Sequence, residues 1–355
     1  MRRNDVRWGL RVASRPSDGA GHVMRCLALA EALDPDAVFF LDADTTLDGY
    51  VTQAGFSWRA EPEPASAQML ESAMSAGDVE AAVIDGYDFP PEVVAALGRH
   101  GLCVSVDDFG HAIAGQAVIN PGLDGRATRY DIPRDRVMAG PEYALLRAPF
   151  KDAHDDAVGR EPKDRGTLNV LVAMGAVDSG NATGFVLQAM SRMARPETAV
   201  AVTVVLAAAA PHIDAVRRQV QALDALPGVA CRLLSDVDDM IPIYRQTDLA
   251  VGAGGVSLLE RLCCGVPSVL LTLADNQLPN AEAAARLGIA VHAGRREDLD
   301  ADALAGLIAR FTADSAWRNR VRRDGLAVVD GRGATRAAEH ISSLHAGTYE
   351  HQVSL

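Results

Sequence analysis

The feature that most constrains the fold is a repeated alternation of short apolar strands with helical segments, interrupted once by a charged stretch. Predicted strands begin at Val6 and lie at 37–41, 80–85, 102–106, 168–174, 199–206, 229–234, 249–252 and 268–273. Helical segments between them include 22–33, 211–223 and 237–245, and 301–344 also has a helical pattern. Strands joined by helical crossovers pair in parallel, so the pattern predicts an α/β protein.

The charged stretch at 151–166 has almost no apolar residue that could join a core, and we predict an interdomain linker there. At roughly 100 to 200 residues per domain, 355 residues suit two domains. We therefore predict domains at 1–150 and 167–330, with a C-terminal helix and tail at 331–355. Two Rossmann-like parallel-sheet domains would face an interdomain cleft with the carboxyl ends of their strands, where open α/β sheets bind ligands.

Composition limits the classes of function. The formal net charge of −13 opposes nonspecific binding to nucleic acid or to an anionic membrane surface. The longest apolar run, 199–210, is shorter than the roughly 18 residues of a transmembrane helix, and the N-terminal residues lack the apolar core of a signal peptide. A cytoplasmic location is therefore expected. The five cysteines include no C-x-x-C pair, which favours reduced, buried thiols over disulfides or a zinc site.

The first candidate site is a glycine loop that follows the first strand. Gly19-Ala-Gly21 leads into a helix that we expect to start at His22, so backbone N–H groups at the helix N-terminus could face a ligand. A helix N-terminus disfavours imidazolium, which suits His22 as a general base. A plain tight turn, with His22 merely starting the helix beside the sheet, is the structural alternative.

The second candidate site is another strand, glycine turn and helix at 249–267. Gly254 and Gly255 allow close approach of the main chain to a diphosphate, and Glu260 lies one helical turn further on, within reach of a ribose diol. Alternatively, Glu260 could face solvent beside Arg261.

Polar residues also follow other predicted strands. Asp275, Asn276 and Gln277 follow the strand at 268–273, where Asp275 could instead cap the next helix. Asp85 and Tyr87 follow the strand at 80–85. Asp107 and Asp108 could be paired acids, a magnesium site or caps of a turn, and no further ligand at suitable spacing supports a metal.

Six segments together resemble one enzyme family, the UDP-sugar hydrolases of pseudaminic acid biosynthesis, which act in flagellin glycosylation. They are G-A-G-H-V-M-R-C-L-A-L-A at 19–30, V-I-D-G-Y at 83–87, V-D-D at 106–108, Y-A-L-L-R at 143–147, G-A-G-G-V-S-L-L-E-R at 252–261 and A-D-N-Q at 274–277. The resemblance covers about Val6 to Gly288. It implies the two-domain GT-B fold of glycosyltransferases such as MurG.

The resemblance also implies an activity and its residues. The substrate would be UDP-2,4-diacetamido-2,4,6-trideoxy-β-L-altropyranose, hydrolysed with inversion to the free sugar and UDP, without metal or cofactor. His22 would be the general base, with Tyr87 and Asn276 near the sugar and the reaction centre. The implied substrate-binding residues are Gly21, Arg25, Arg147, Gly254, Gly255, Val256, Ser257, Glu260 and Gln277.

One position departs from the family pattern, because Gly86 stands where the family commonly has His. The missing side chain would enlarge the pocket beside Tyr87 or alter contacts to the acetamido groups, so a related diamino sugar is an alternative substrate. Two other functions stay open, a GT-B glycosyltransferase that moves the sugar to an acceptor and a silent nucleotide-sugar-binding protein. The sequence does not indicate an oligomeric state.

Overall fold

The computed structural model describes residues 6–110, 114–160, 166–193 and 199–353. The chain divides into two compact units. Unit 1 extends to Pro149 and also includes the segment from Gly331 onward, whereas unit 2 is Phe150–Asp330. Each unit is built on its own parallel sheet, so the predicted fold class of two Rossmann-like domains is confirmed.

Unit 1 contains a seven-stranded sheet in the order β3-β2-β1-β4-β5-β6-β7. Its strands are β1 (Trp8–Val12), β2 (Val38–Asp42), β3 (Ser57–Glu61), β4 (Ala81–Asp85), β5 (Leu102–Val106), β6 (Ala117–Asn120) and β7 (Val137–Ala139). Its helices are α1 (Gly21–Leu33), α2 (Asp48–Gln53), α3 (Gln68–Ser75) and α4 (Pro91–Gly98), with short 3-10 turns at Ala127–Arg129, Arg134–Arg136 and Pro141–Tyr143. The central strands β1, β4 and β5 are buried throughout, as expected for a parallel sheet covered on both faces.

Unit 2 contains a six-stranded parallel sheet in the order β10-β9-β8-β11-β12-β13. Its strands are β8 (Leu168–Ala173), β9 (Val200–Val205), β10 (Val229–Leu234), β11 (Leu249–Ala253), β12 (Ser268–Thr272) and β13 (Val291–Arg295). Its helices are α5 (Pro149–Val158), α6 (Ala182–Met193), α7 (Ile213–Asp224), α8 (Ile241–Tyr244), α9 (Val256–Cys263), α10 (Leu278–Arg286), α11 (Ala301–Ala313) and α12 (Ser315–Leu326). Short 3-10 turns lie at Asp275–Gln277 and Arg296–Asp298.

The last helix, α13 (Gly333–Val353), belongs to the core of unit 1. Ala337 and Ile341 are fully buried there and pack in the same cluster as Leu10 of β1 and Leu29 of α1. The chain therefore returns to its first unit after the second is complete.

The predicted linker at 151–166 differs most from the structure. Its first part belongs to α5, which buries Phe150, Ala153, His154 and Ala157, while 161–165 lie outside the described residues. These four residues recur at helical spacing, and this amphipathic pattern was hidden by the charged residues between them.

Other differences concern short or exposed elements. The helix predicted at 237–245 is the four-residue α8, which begins at Ile241 with Pro242 in its first turn, a favoured position for proline. The edge strand β3 is mostly exposed and β13 is only half-buried, so neither has the apolar run of a central strand. All five cysteines are free and buried, which confirms the prediction for them.

Candidate functional site

The candidate site in unit 1 lies where β1 and β4 end. These strands pair in parallel with Val12 opposite Asp85, so the loop after β1 and the end of β4 lie at the same edge of the sheet. The loop leads into α1, which starts at Gly21 and has no side-chain cap and no acidic residue in its first turn. His22, in that first turn, is therefore positioned beside Asp85.

His22 and Asp85 form a buried dyad. The Nδ1 atom of His22 lies 2.7 Å from Oδ1 of Asp85, and Asp85 has no exposed surface. Nη2 of Arg25 also lies 3.2 Å from this Nδ1 atom, but the carboxylate is closer and only accepts hydrogen bonds, so we assign the proton to Nδ1. The Nε2 atom of His22 is then the nitrogen that can accept a proton from a substrate hydroxyl or water.

Arg25, one helical turn after His22, holds the same carboxylate. Its Nε donates to Oδ2 of Asp85 and its Nη2 donates to Oδ1, each at 2.6 Å, in a two-pronged pair. Arg25 is itself almost fully buried and holds the Asp85 carboxylate in place beside His22. The predicted substrate-binding role of Arg25 remains a prediction.

The charges fix the protonation of this pair. Burial alone would raise the pKa of Asp85, but the neighbouring Arg25 and His22 lower it well below its usual range. Burial alone would lower the pKa of Arg25, whereas Asp108 and Asp85 raise it above its ordinary value. Asp85 is therefore a carboxylate at neutral pH and stabilises the imidazolium that forms when His22 takes up a proton.

Tyr87 and Asp108 extend this network toward solvent. Arg25 donates from Nη1 to both oxygens of Asp108, at 2.7 and 2.9 Å, and the hydroxyl of Tyr87 donates to Oδ2 of Asp108 at 2.5 Å. The rings of Tyr87 and His22 pack in a T-shaped arrangement with centroids 4.8 Å apart, and 44% of Tyr87 is exposed. The structure thus places Tyr87 beside His22, with a surface that a ligand can contact.

Gly86 does not leave a vacant space. A Cβ added there would lie 2.5 Å from Cε2 of Phe89 and 2.7 Å from Cβ of Ala13. Phe89 also packs its ring against the guanidinium of Arg11, 4.9 Å from the ring centroid. The expectation of an enlarged pocket is therefore wrong at this position, because Phe89 fills the volume.

The candidate site in unit 2 is the turn between β11 and α9. Gly255 is the N-cap of α9 and has no side chain with which to cap the helix, so the helix's first N–H groups depend on other partners. At Gly254 an added Cβ would lie 2.9 Å from the backbone oxygen of Gln277. Gln277 itself accepts the N–H of Leu273 through Oε1. The predicted turn residues and Gln277 therefore lie together, with Val256 and Ser257 in the first turn of α9.

Glu260 is held on one side by a buried tyrosine. The Tyr244 hydroxyl donates to Oε2 of Glu260 at 2.8 Å, and burial together with this carboxylate raises the pKa of Tyr244. The neighbouring Arg261 is completely buried rather than solvent-facing, because it turns back beneath the glycine turn. Glu260 is thus half-buried and oriented, as a diol-binding carboxylate needs to be.

The remaining predicted residues have varied positions. Asp275 does not cap α10 and instead pairs with Arg295 at 2.7 Å, while Asn276 is half-buried in the same short turn. Asp107 accepts the N–H groups of Phe109 and Gly110, which fits the capping alternative. Arg147 is half-buried after the turn Pro141–Tyr143, and its role remains a prediction.

Sequence reasoning placed Asp85 and Asp108 at strand ends but did not connect them to His22 and Arg25. The signal was present, because Arg25 follows His22 by three residues and so lies on the same helix face. Two strand-end carboxylates near a histidine and an arginine on one helix face indicate ion pairing.

Among the described residues, no three His, Cys, Asp or Glu side chains are grouped so that they could hold a metal ion. Within those same residues, no helix has both the length and the apolar character needed to cross a bilayer.

Comparison with known proteins gives relatives for most of the chain. It is 25% identical over 333 residues to the spore coat polysaccharide biosynthesis protein SpsG of Bacillus subtilis, covering 92% of this chain and 95% of SpsG. It is 31% identical over 187 residues to the UDP-N-acetylglucosamine–N-acetylmuramyl-(pentapeptide) pyrophosphoryl-undecaprenol N-acetylglucosamine transferase of Paraburkholderia phymatum, covering 51% and 48% of the two chains. No protein-family model matches the sequence.

Among solved structures, the chain is similar to MurG of Acinetobacter baumannii, with a TM-score of 0.65 and 14% identity over 95% of this chain and 99% of that one. The predicted GT-B fold is therefore confirmed, and the chain has the fold of the GT-B glycosyltransferase-like superfamily.

Proposed function

We propose that this protein is a nucleotide-sugar enzyme that transfers an amino sugar from UDP to the hydroxyl group of an acceptor. Three observations outside the site favour transfer. The chain has a GT-B fold, and the Paraburkholderia relative is by name a transferase that uses UDP-N-acetylglucosamine. The name of SpsG, which the chain matches over nearly its full length, refers to polysaccharide biosynthesis.

The observation that carries the proposal is the dyad of His22 and Asp85. With Nδ1–H bound to Asp85, Nε2 of His22 takes the proton from the acceptor hydroxyl as its oxygen bonds to the anomeric carbon. The bond from that carbon to the phosphate oxygen breaks at the same time, and its electron pair leaves with UDP. Attack from the face opposite UDP inverts the anomeric configuration.

Unit 2 supplies the nucleotide site in this proposal. The turn of Gly254 and Gly255 and the first turn of α9 would bind the diphosphate through backbone N–H groups. Glu260, oriented by Tyr244, would bind the ribose diol. Leaving-group stabilisation then comes from the protein, and we expect turnover to persist in the presence of a chelator.

Hydrolysis of UDP-2,4-diacetamido-2,4,6-trideoxy-β-L-altropyranose, or of a related diamino sugar, is the second candidate. The order of the six segments from Gly19 to Gln277 favours it. The same dyad would serve, because water can replace the acceptor hydroxyl as the group that gives its proton to His22.

The deciding experiment incubates the purified protein with UDP-linked amino sugars, with and without candidate acceptors, and follows UDP by phosphorus NMR. Acceptor-dependent UDP release with a new glycosidic bond supports transfer. Stoichiometric free sugar from water alone supports hydrolysis and rejects transfer as the main activity. Binding of UDP without any release of UDP from these donors rejects both enzymatic proposals.

A further inference from the structure

Arg261 is a buried positive charge for which the described residues supply no ion-pair partner. The residue has no exposed surface, and its three side-chain hydrogen bonds go to neutral acceptors. The adjacent Glu260 instead receives the hydroxyl of Tyr244. Burial lowers the pKa of Arg261, the nearby Tyr244 and Glu260 offset only part of this effect, and the guanidinium stays protonated at neutral pH. A buried charge without a direct ion pair is costly, so its retention calls for a reason.

The first contact of Arg261 orients the glycine turn. Its Nη2 donates to the carbonyl oxygen of Ala253 at 2.6 Å. In a planar trans peptide the C=O and N–H groups point in opposite directions, so the N–H of Gly254 points away from the guanidinium. Arg261 thus fixes the direction of one backbone donor of the turn.

The second contact orients a hydroxyl. Nη1 of Arg261 donates to Oγ of Ser257 at 3.4 Å. Because this oxygen then acts as an acceptor on the buried side, its own proton is directed elsewhere, as required of a donor to a ligand. The third contact, from Nε to Oγ of Ser268 at 3.1 Å, anchors the side chain to β12.

The backbone makes room for this arrangement at Gly252. A Cβ at that position would clash with Nη1 and Cζ of Arg261 and would lie 2.9 Å from the carbonyl oxygen of Ala173. A residue without a side chain is therefore needed in β11 for the guanidinium to reach the turn.

We propose that Arg261 is a positioning residue for a diphosphate, which it attracts through its buried charge while it orients the N–H of Gly254 and the hydroxyl of Ser257. This inference rests on the proposed nucleotide site. Arg261 does not touch the ligand, since it is fully covered, and the diphosphate adds negative charge near the guanidinium when it binds. In low-dielectric surroundings such a charge acts over a longer range than it would in water.

Calorimetric titration of the full-length protein with uridine, UMP, UDP and inorganic pyrophosphate tests this role. In Arg261→Met we expect the ratio of UDP to uridine affinity to fall by about tenfold or more, since one charge is lost at low dielectric. Uridine affinity should be unchanged. Arg261→Lys should restore part of the ratio of UDP to uridine affinity, because lysine restores the charge but not the paired guanidinium contacts to Ala253 and Ser257. Arg217→Met is the control, since Arg217 lies on the surface and pairs with Asp214.

Two further measurements distinguish positioning from a purely structural role. Without ligand, Arg261→Met loses three hydrogen bonds but also removes a desolvated charge, so the two effects oppose each other and we expect only a small change in stability. The stabilisation of the folded protein by bound UDP should be smaller in Arg261→Met than in the wild type. If Arg261→Met does not fold, Gly252→Ala displaces the guanidinium instead and should lower the same affinity ratio.

The outcomes separate the two proposals. An unchanged ratio of UDP to uridine affinity in folded Arg261→Met, or in folded Gly252→Ala, overturns the role of Arg261 and leaves the proposed function intact. Pyrophosphate binding that depends on Arg261, without any affinity for UDP, supports the anion site and rejects the proposed nucleotide substrate. No binding of either phosphate compound by the wild type overturns both.

Discussion

Asp85→Asn tests the dyad most sharply, because the change removes one charge and keeps the shape. The carboxylate accepts from Nδ1 of His22 at 2.7 Å and from two nitrogens of Arg25 at 2.6 Å each. An amide at this position no longer holds His22 in the tautomer whose Nε2 is free to accept a proton. We expect kcat to fall by about 10²- to 10⁴-fold with little change in KM, in line with the loss of general-base catalysis.

The same substitution should also cost stability. Breaking a buried ion pair typically costs about 3–5 kcal/mol, and Asp108 still pairs with Arg25, so we expect the lower part of that range. Glu61→Gln is a matched control, because Glu61 is equally buried in unit 1 and caps α3 through the N–H groups of Met69 and Leu70. That control should lose stability while retaining kcat.

Two assays read out the effect of Asp85→Asn. UDP release under saturating donor gives kcat, and nitrogen-detected NMR of the imidazole reports which nitrogen of His22 carries the proton. Wild-type protein should show the Nδ1–H tautomer and Asp85→Asn a mixture or the reverse. A kcat within threefold of wild type in the folded variant, or an Nε2–H tautomer in the wild type, would refute the reasoning.

Three other changes have defined outcomes. Gly86→His should lower unfolding stability by about 1–3 kcal/mol in urea titrations, because the new side chain overlaps Phe89; equal or higher stability would contradict that packing. Tyr87→Phe removes the donor to Asp108 and should reduce kcat/KM by roughly tenfold, with a small change in melting temperature because Tyr87 is exposed; unchanged kinetics would exclude the hydroxyl. Because the pKa of Asp85 is lowered in the folded protein, its carboxylate stabilises the fold fully at pH values above the ordinary aspartate pKa of about 3.9. This stabilisation is lost as the pH falls through the lowered pKa. The stability gap between wild type and Asp85→Asn should therefore narrow as the pH falls below about 4. A gap that does not narrow in acid would contradict this assignment.

The alternation of strands and helices was sufficient to predict the two parallel sheets, because buried parallel strands have continuous apolar runs. It also located His22 at the start of α1 and the glycine turn before α9. Local sequence fixes such features, since a turn and the helix after it are formed by neighbouring residues.

Contacts between distant residues were not predictable in the same way. Asp85 meets His22 only because β4 lies beside β1 in the sheet, which is a matter of strand order. Arginine is usually found at the surface, so the sequence did not predict the burial of Arg261, which depends on the space at Gly252. Phe89 fills the volume beside Gly86 through packing that a single position does not indicate. In α5, the charged residues between the buried positions made the segment resemble a linker, although one face of the helix is buried.

The central claim, that His22 is the base of a nucleotide-sugar enzyme, is tested most directly by the rate of UDP release from UDP-linked amino sugars by wild type and His22→Ala, with UDP affinity measured in parallel. We predict turnover by the wild type, a loss of about 10²- to 10⁴-fold in His22→Ala, and equal UDP affinity in both proteins. Equal rates in the two proteins would contradict the account.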